Sequence, residues 1–109
     1  PELRANENLP PDVRKELNPG MAFVIANSGF NGTNQKGARL AVRIAQDAMA
    51  DESKYPQFKG NVAVVDTRPM WRDESVSPSN FGYHWNHNGI THYEIGMGMG
   101  EAILKLKKP

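Results

Sequence analysis

Two short apolar segments stand out in a chain whose other apolar residues recur mainly at helical spacing. Residues 21–26 (MAFVIA) and 61–66 (NVAVVD) have the length and content of strands buried on both faces of a parallel sheet. Between them, residues 35–51 carry an apolar stripe opposite charged side chains, which is typical of an amphipathic helix. The stripe consists of Leu40, Ala41, Ile44, Ala45, Ala48 and Met49. The pattern predicts a parallel strand–helix–strand unit and therefore an α/β fold.

Helical signals also occur near both ends of the chain. Residues 10–17 begin with two prolines, and Asn18-Pro19-Gly20 is a stop signal, so we predict a short helix that ends near Leu17. A last helix is predicted over residues 90–106, after a long loop that follows the second strand.

The last helix contains Gly96, Gly98 and Gly100 in its interior. Each interior glycine costs up to about 1 kcal/mol relative to alanine, so we expect a packing reason for them. Gly96 and Gly100 lie one turn apart and are expected to let the helix approach the sheet or another helix closely. No predicted strand precedes these glycines and they do not form Gly-x-Gly-x-x-Gly, which argues against a nucleotide site.

Composition narrows the class of protein. A chain of 109 residues with 39% apolar content is sufficient for one compact domain over residues 1–109. Its 13 basic and 12 acidic residues nearly cancel, so no nucleic-acid partner is expected. There is no cysteine, hence no thiol nucleophile or thiolate metal site. No apolar run approaches the length of a membrane span, and we expect neither a membrane partner nor a cofactor.

The most informative segment is residues 81–92, which holds all three histidines and one of the two tryptophans. Histidine is well suited to move protons near neutral pH, so we expect an exposed functional rim here. His84, His87 and His92 match zinc-ligand spacing only weakly, because two of them precede the helix and share no helical face with the third. We therefore predict no metal site, and a histidine-bound zinc ion is the least favoured alternative.

Polar residues follow both predicted strands, where ligands sit in open α/β sheets. Ser28 could donate a hydrogen bond to a ligand, and Asp66 could orient a histidine. The alternative for Asp66 is a loop cap or an ion pair with Arg68 or Arg72. Tyr83 and Trp85 in the histidine segment are either platforms for a sugar ring or packing residues.

Five segments of the chain share a pattern with a known family of enzymes: GYHWNHNG (82–89), YEIG (93–96), VVDTRPMWR (64–72), MAFVIA (21–26) and YPQFKGNV (55–62). Together they resemble the C-terminal part of the sialate O-acetylesterase and acetylxylan esterase-like branch of the SGNH (GDSL-type) hydrolases. The resemblance covers most of residues 10–106. It implies that the chain is the C-terminal part of a three-layer α/β/α, flavodoxin-like sandwich with parallel strands.

The family resemblance also implies a chemistry. In such enzymes a serine attacks the acetyl ester, a C-terminal histidine activates the serine, and backbone and side-chain donors hold the oxyanion. His84 best matches that histidine, because His84-x-Asn86-x-x-Gly89 is similar to the pattern that opens the last helix in the wider superfamily. His87 is an alternative base.

The chain departs from the family pattern at three places. Many members carry an aspartate three residues before the histidine, where this chain has Phe81, so Asp66 is the remaining candidate for the acid of the triad. Some relatives place a glutamate where this chain has Asn27. Ser28 lacks the Gly-Asp-Ser or Gly-Gln-Ser context of the nucleophile. We therefore expect this chain to be the C-terminal portion of a larger hydrolase.

The resulting hypothesis is part of a carbohydrate O-acetylesterase in which this chain supplies the catalytic histidine. Its expected partners are an acetylated carbohydrate, the N-terminal remainder of the hydrolase domain and, through exposed sheet edges, a second copy of itself. Export from a bacterial cell is expected by family analogy only. The alternative is a non-catalytic carbohydrate-binding or interaction module of the same fold. The predicted substrate-binding residues are Tyr83, Trp85, Asn86, Asn27 and Ser28.

Overall fold

The two strands form a parallel sheet in the computed structural model, which describes residues 10–12, 14–15 and 20–107. Strand β1 (Phe23–Ala26) pairs with strand β2 (Val62–Val65). Phe23 lies opposite Val62, and Ala26 lies opposite Val65. The predicted parallel strands are confirmed, although each is shorter than its apolar segment.

Helix α1 (Gly37–Ala48) lies between the strands in sequence, and helix α2 (Gly89–Lys107) follows them. Both agree with the predicted helices to within a few residues. Residues 10–12 and 14–15 are also helical, whereas the predicted end of that helix near Leu17 lies outside the described residues. Between β2 and α2 the chain forms three 3₁₀ segments, at Arg68–Met70, Glu74–Val76 and Gly82–His87.

A small core lies where the end of α1 meets one face of the sheet. Met49 is 1% exposed and forms a cluster with Tyr55, Phe58 and Val62, beside which Phe23, Ile25 and Ala48 pack. Met49 directly follows α1, whose own residues are at most partly buried, and Ile44 of its apolar stripe is 53% exposed.

Helix α2 packs on both strands, and one of its glycines allows the helix to lie close to the sheet. A Cβ atom added at Gly98 would lie 3.0 Å from Val65 Cγ1 and 3.4 Å from Met70 Cε, whereas one added at Gly96 or Gly100 would meet nothing within 4 Å. The expected packing reason therefore holds for Gly98, and the expectation that Gly96 and Gly100 permit the close approach is wrong.

In the described part of the chain, no helix combines the length and apolarity needed to span a membrane.

Candidate functional site

Asn27, at the carboxyl end of β1, is almost completely buried, with 2% of its surface exposed. Its Nδ2 donates to Asp47 Oδ1 at 2.8 Å and to Asp66 Oδ1 at 3.4 Å. Its Oδ1 accepts from the Thr67 backbone N–H at 2.8 Å and from the Thr67 hydroxyl at 3.0 Å. The single proton of the Thr67 hydroxyl also reaches the Asn27 backbone carbonyl, at 2.7 Å. The amide of Asn27 is therefore held inside the fold through both its nitrogen and its oxygen.

Asp66, at the end of β2, is engaged by Arg68. The carboxylate accepts from Arg68 Nε at 2.9 Å, from Nη2 at 2.8 Å and from the backbone N–H at 3.1 Å. The side-chain bonds from Arg68, partly opposed by desolvation, lower the pKa of Asp66 from 3.8 to about 2. The structure thus contains the ion pair with Arg68, and no histidine among the described residues bonds to this carboxylate. The role of Asp66 as the acid of a triad stays a prediction, and the ion pair with Arg68 weighs against it.

Ser28 takes part in the same region mainly through its backbone. Its N–H donates to Gln46 Oε1 at 2.7 Å, and its carbonyl accepts from Gln35 Nε2. The hydroxyl makes no hydrogen bond within the described ranges, so it keeps its capacity to contact a ligand. The next residue is Gly29, where an added Cβ would lie only 2.6 Å from the Arg68 nitrogen. The loop after β1 therefore packs directly on the loop after β2.

The second polar region is the histidine loop, which we define as residues 79–88. Three consecutive residues in it have left-handed backbone angles, with φ of 54° at Trp85, 52° at Asn86 and 55° at His87. A left-handed conformation costs a non-glycine residue roughly 1–2 kcal/mol, and such strain persists only where surrounding contacts enforce it. The loop is therefore held in a specific shape.

Two buried asparagines enforce that shape. Asn86 Nδ2 donates to the Arg72 carbonyl at 3.0 Å. Asn88 Oδ1 accepts from the backbone N–H groups of Ile90 at 3.1 Å and Thr91 at 3.2 Å, which caps the start of α2. Asn86 is 2% exposed, so its amide nitrogen supports the loop, while its oxygen has no hydrogen-bond partner within the described residues. Its contact with substrate stays a prediction.

His84 and His87 lie side by side on this loop, both exposed. Their rings stack at a centroid distance of 5.4 Å and an interplanar angle of 10°, and the Phe81 ring stacks on His84 at 4.8 Å. Ser79 Oγ lies 2.6 Å from His87 Nδ1. The imidazole of His84 makes no hydrogen bond within the described residues. Both of its ring nitrogens are therefore open to a ligand, and an aromatic ring occupies the place of the family's aspartate.

An aromatic cluster adjoins the histidine loop. The Phe30 ring lies 4.8 Å from Trp85 and 5.8 Å from Tyr83, Trp71 lies 6.0 Å from Trp85, and the Arg39 guanidinium lies 4.5 Å over Tyr83. Tyr83 is 65% exposed, as a sugar platform requires, whereas Trp85 is partly buried and packs between other rings. Sequence reasoning missed Phe30 and Trp71; the available signal was that each follows a strand ending at the same edge of the sheet.

A cleft with two halves lies beside this cluster, and we call its smaller half the Trp71 cleft. The larger half has a volume of about 420 Å³ and is also bounded by Asp66 and Arg68. The Trp71 cleft has a volume of about 250 Å³. Its lining residues are Asn31, Trp71, Asp73, Glu74, Asn80, Gly82 and Asn86. The histidine loop thus contributes directly to the wall of a cleft.

The described residues contain no group of three or more histidine, cysteine, aspartate or glutamate side chains placed to hold a metal ion. His92 lies exposed on the first turn of α2, apart from the stacked pair.

No family model, no curated protein and no solved structure matches this chain. The resemblance to the SGNH hydrolases therefore stays a prediction.

Proposed function

We propose that this chain is the histidine-bearing C-terminal part of a carbohydrate O-acetylesterase with a three-layer α/β/α fold. The observation that carries the proposal is the exposed imidazole of His84, which contacts the rings of Phe81 and His87 and makes no hydrogen bond within the described residues, so that both of its nitrogens are open. A general base must reach the proton that it removes and must have a free nitrogen to accept it. His84 has the free nitrogen, and the exposed Tyr83 beside it supplies a platform for a sugar.

In the proposed reaction, His84 accepts the proton of a serine hydroxyl that belongs to the remainder of the hydrolase domain. The serine oxygen attacks the acetyl carbonyl, and the protonated His84 returns the proton to the departing sugar oxygen. Water then attacks the acetyl-enzyme while His84 takes a proton from it and passes that proton to the departing serine oxygen, which regenerates the serine and the neutral histidine and releases acetate. His84 touches the reacting atoms at each proton transfer, so its loss removes both halves of the cycle.

His87 is the alternative base, although one of its nitrogens already contacts the Ser79 hydroxyl. A second candidate function is sugar binding without catalysis. It is favoured by a specific observation: the carboxylate of Asp66 is taken up by Arg68 and Asn27, and no carboxylate among the described residues bonds to His84 or His87. A histidine without an orienting carboxylate is a weaker catalyst.

The test is acetate release from acetylated xylan by the protein at its full encoded length. We expect His84→Ala to reduce kcat/KM roughly a thousandfold, the scale of a lost general base. His92→Ala, an exposed histidine outside the stacked pair, is the matched control and should leave the rate unchanged. A large loss in His87→Ala with an active His84→Ala would transfer the role to His87. A wild-type protein that binds xylan without releasing acetate would favour the binding module.

A further inference from the structure

The Trp71 cleft has an aromatic wall whose polar edge is already bonded. Trp71 Nε1 donates to Asp73 Oδ1 at 2.8 Å, and its ring lies 6.0 Å from Trp85. The indole N–H is therefore unavailable to a ligand, and the ring offers apolar surface. The Trp71–Asp73 bond also fixes the carboxylate, whose second oxygen and remaining lone pairs can accept hydroxyl donors. A rigid ring beside fixed acceptors is suited to a flat, hydroxyl-rich molecule.

One of the residues that line the cleft, Asn86, carries an unsatisfied acceptor. Asn86 Oδ1 is buried and has no hydrogen-bond partner within the described structure, although the Nδ2 of the same amide is bonded to the Arg72 carbonyl. Buried acceptors without a donor are unfavourable and rare in folded proteins. A hydroxyl group brought to this wall of the cleft would supply the missing donor.

The charge of the cleft limits which hydroxylated molecule it can accept. Asp73 and Glu74 line it, and no lysine or arginine among the described residues does. In the adjoining larger half, the guanidinium of Arg68 is neutralised by Asp66 at 2.8 Å. The lining therefore presents acceptors and negative charge, which attract hydroxyl donors and repel another carboxylate.

From these three observations we infer that the Trp71 cleft binds a neutral sugar unit and rejects acidic sugars. A pyranose ring stacks on Trp71, and its hydroxyl groups donate to the Asp73 carboxylate and to Asn86 Oδ1. This inference rests on the proposed function and narrows it, because it assigns the esterase to neutral polysaccharides and excludes uronic-acid and sialic-acid substrates.

The experiment is a calorimetric titration of the protein at its full encoded length with xylotetraose and, separately, with tetragalacturonate. The two probes have equal numbers of sugar units and differ in charge. We expect wild type to bind xylotetraose at least roughly tenfold more tightly, the scale of one close like-charge contact near a protein surface. In Asp73→Asn, xylotetraose should bind more weakly and tetragalacturonate more tightly, so that the ratio of the two affinities falls. Glu101→Gln is the matched control, since Glu101 lines a separate groove beside β2, and it should preserve the preference.

Three results would overturn the inference: equal or tighter binding of tetragalacturonate by wild type, an unchanged preference in Asp73→Asn, or binding of neither probe. Circular dichroism of each variant excludes misfolding as a cause. The titration requires no turnover, which separates this inference from the proposed function. A protein that prefers the neutral sugar but releases no acetate would contradict only the proposed esterase activity. A protein that releases acetate but shows no preference between the two probes would contradict only the proposed role of the Trp71 cleft.

Discussion

The polar residues at the strand ends and the histidines of the histidine loop differ in how many of their donors and acceptors form hydrogen bonds within the chain. Around Asn27, Thr67 and Asp66, nearly every donor and acceptor is bonded inside the chain, and Asn27 and Thr67 are almost completely buried. On the histidine loop, the exposed His84 imidazole makes no hydrogen bond to any residue that the structure describes. A buried amide must be satisfied within the fold, whereas an exposed imidazole bonds to water and can exchange that water for substrate. The strand-end network therefore stabilises the fold, and the loop is where we propose that the chemistry takes place.

The largest effect is expected from removing the centre of the strand-end network. Asn27→Ala leaves Asp47 and the Thr67 N–H without their buried partner, and should lower the free energy of unfolding by about 3 kcal/mol. Urea denaturation measures it. Asn34→Ala, at an exposed asparagine in the short 3₁₀ segment Gly32–Asn34 that follows β1, should change stability by less than about 0.5 kcal/mol. If the two variants were equally stable, the network would not hold the strands together.

A smaller, pH-dependent effect is expected at Asp66. Because its pKa is lowered from 3.8 to about 2, its ionised form stabilises the folded state fully above pH 3.8, and this contribution is lost as the pH falls through 2. The carboxylate is 45% exposed, so after solvent screening the contribution is about 1 kcal/mol or less. The difference in unfolding free energy between wild type and Asp66→Asn should be largest near pH 5 and vanish below pH 2. A difference that does not change over this range would contradict the assigned ion pair.

The left-handed backbone of the histidine loop gives the subtlest comparison. His87→Gly and His87→Ala both remove the ring and its contact with Ser79, but only glycine adopts a φ near 55° without penalty. The glycine variant should therefore be more stable, by about 1 kcal/mol. The same pair at His92, inside α2, should show the opposite order, because alanine is the better helix former. Urea midpoints of the four variants decide between this order and an unstrained loop.

Elements governed by local periodicity could be predicted from the sequence. Both strands and both long helices agree with the apolar pattern, because each must bury an apolar face or stripe. The glycines of α2 show the limit of that reasoning. Which of them faces the sheet depends on how the helix is rotated against Val65 and Met70, and its own sequence does not specify that rotation.

The sequence predicted which segment forms the candidate site, but not how its side chains are arranged in space. The histidine segment could be identified from its residue types, and the pairing of Asp66 with Arg68, two residues away, was among the local alternatives. The contacts of Phe30 with Tyr83 and Trp85 join loops that are about fifty residues apart. Such contacts follow from strand pairing and loop packing together, and no local pattern specifies them.

The division between a structural network and a catalytic loop is tested most directly by one paired measurement on the protein at its full encoded length. Hydrolysis of 4-nitrophenyl acetate, which carries no sugar, and the free energy of unfolding are measured for His84→Gln and Asp66→Asn. The account predicts that His84→Gln loses roughly a thousandfold in kcat/KM at unchanged stability, and that Asp66→Asn loses stability at unchanged kcat/KM. A thousandfold loss of rate in Asp66→Asn, or full activity in His84→Gln, would contradict it.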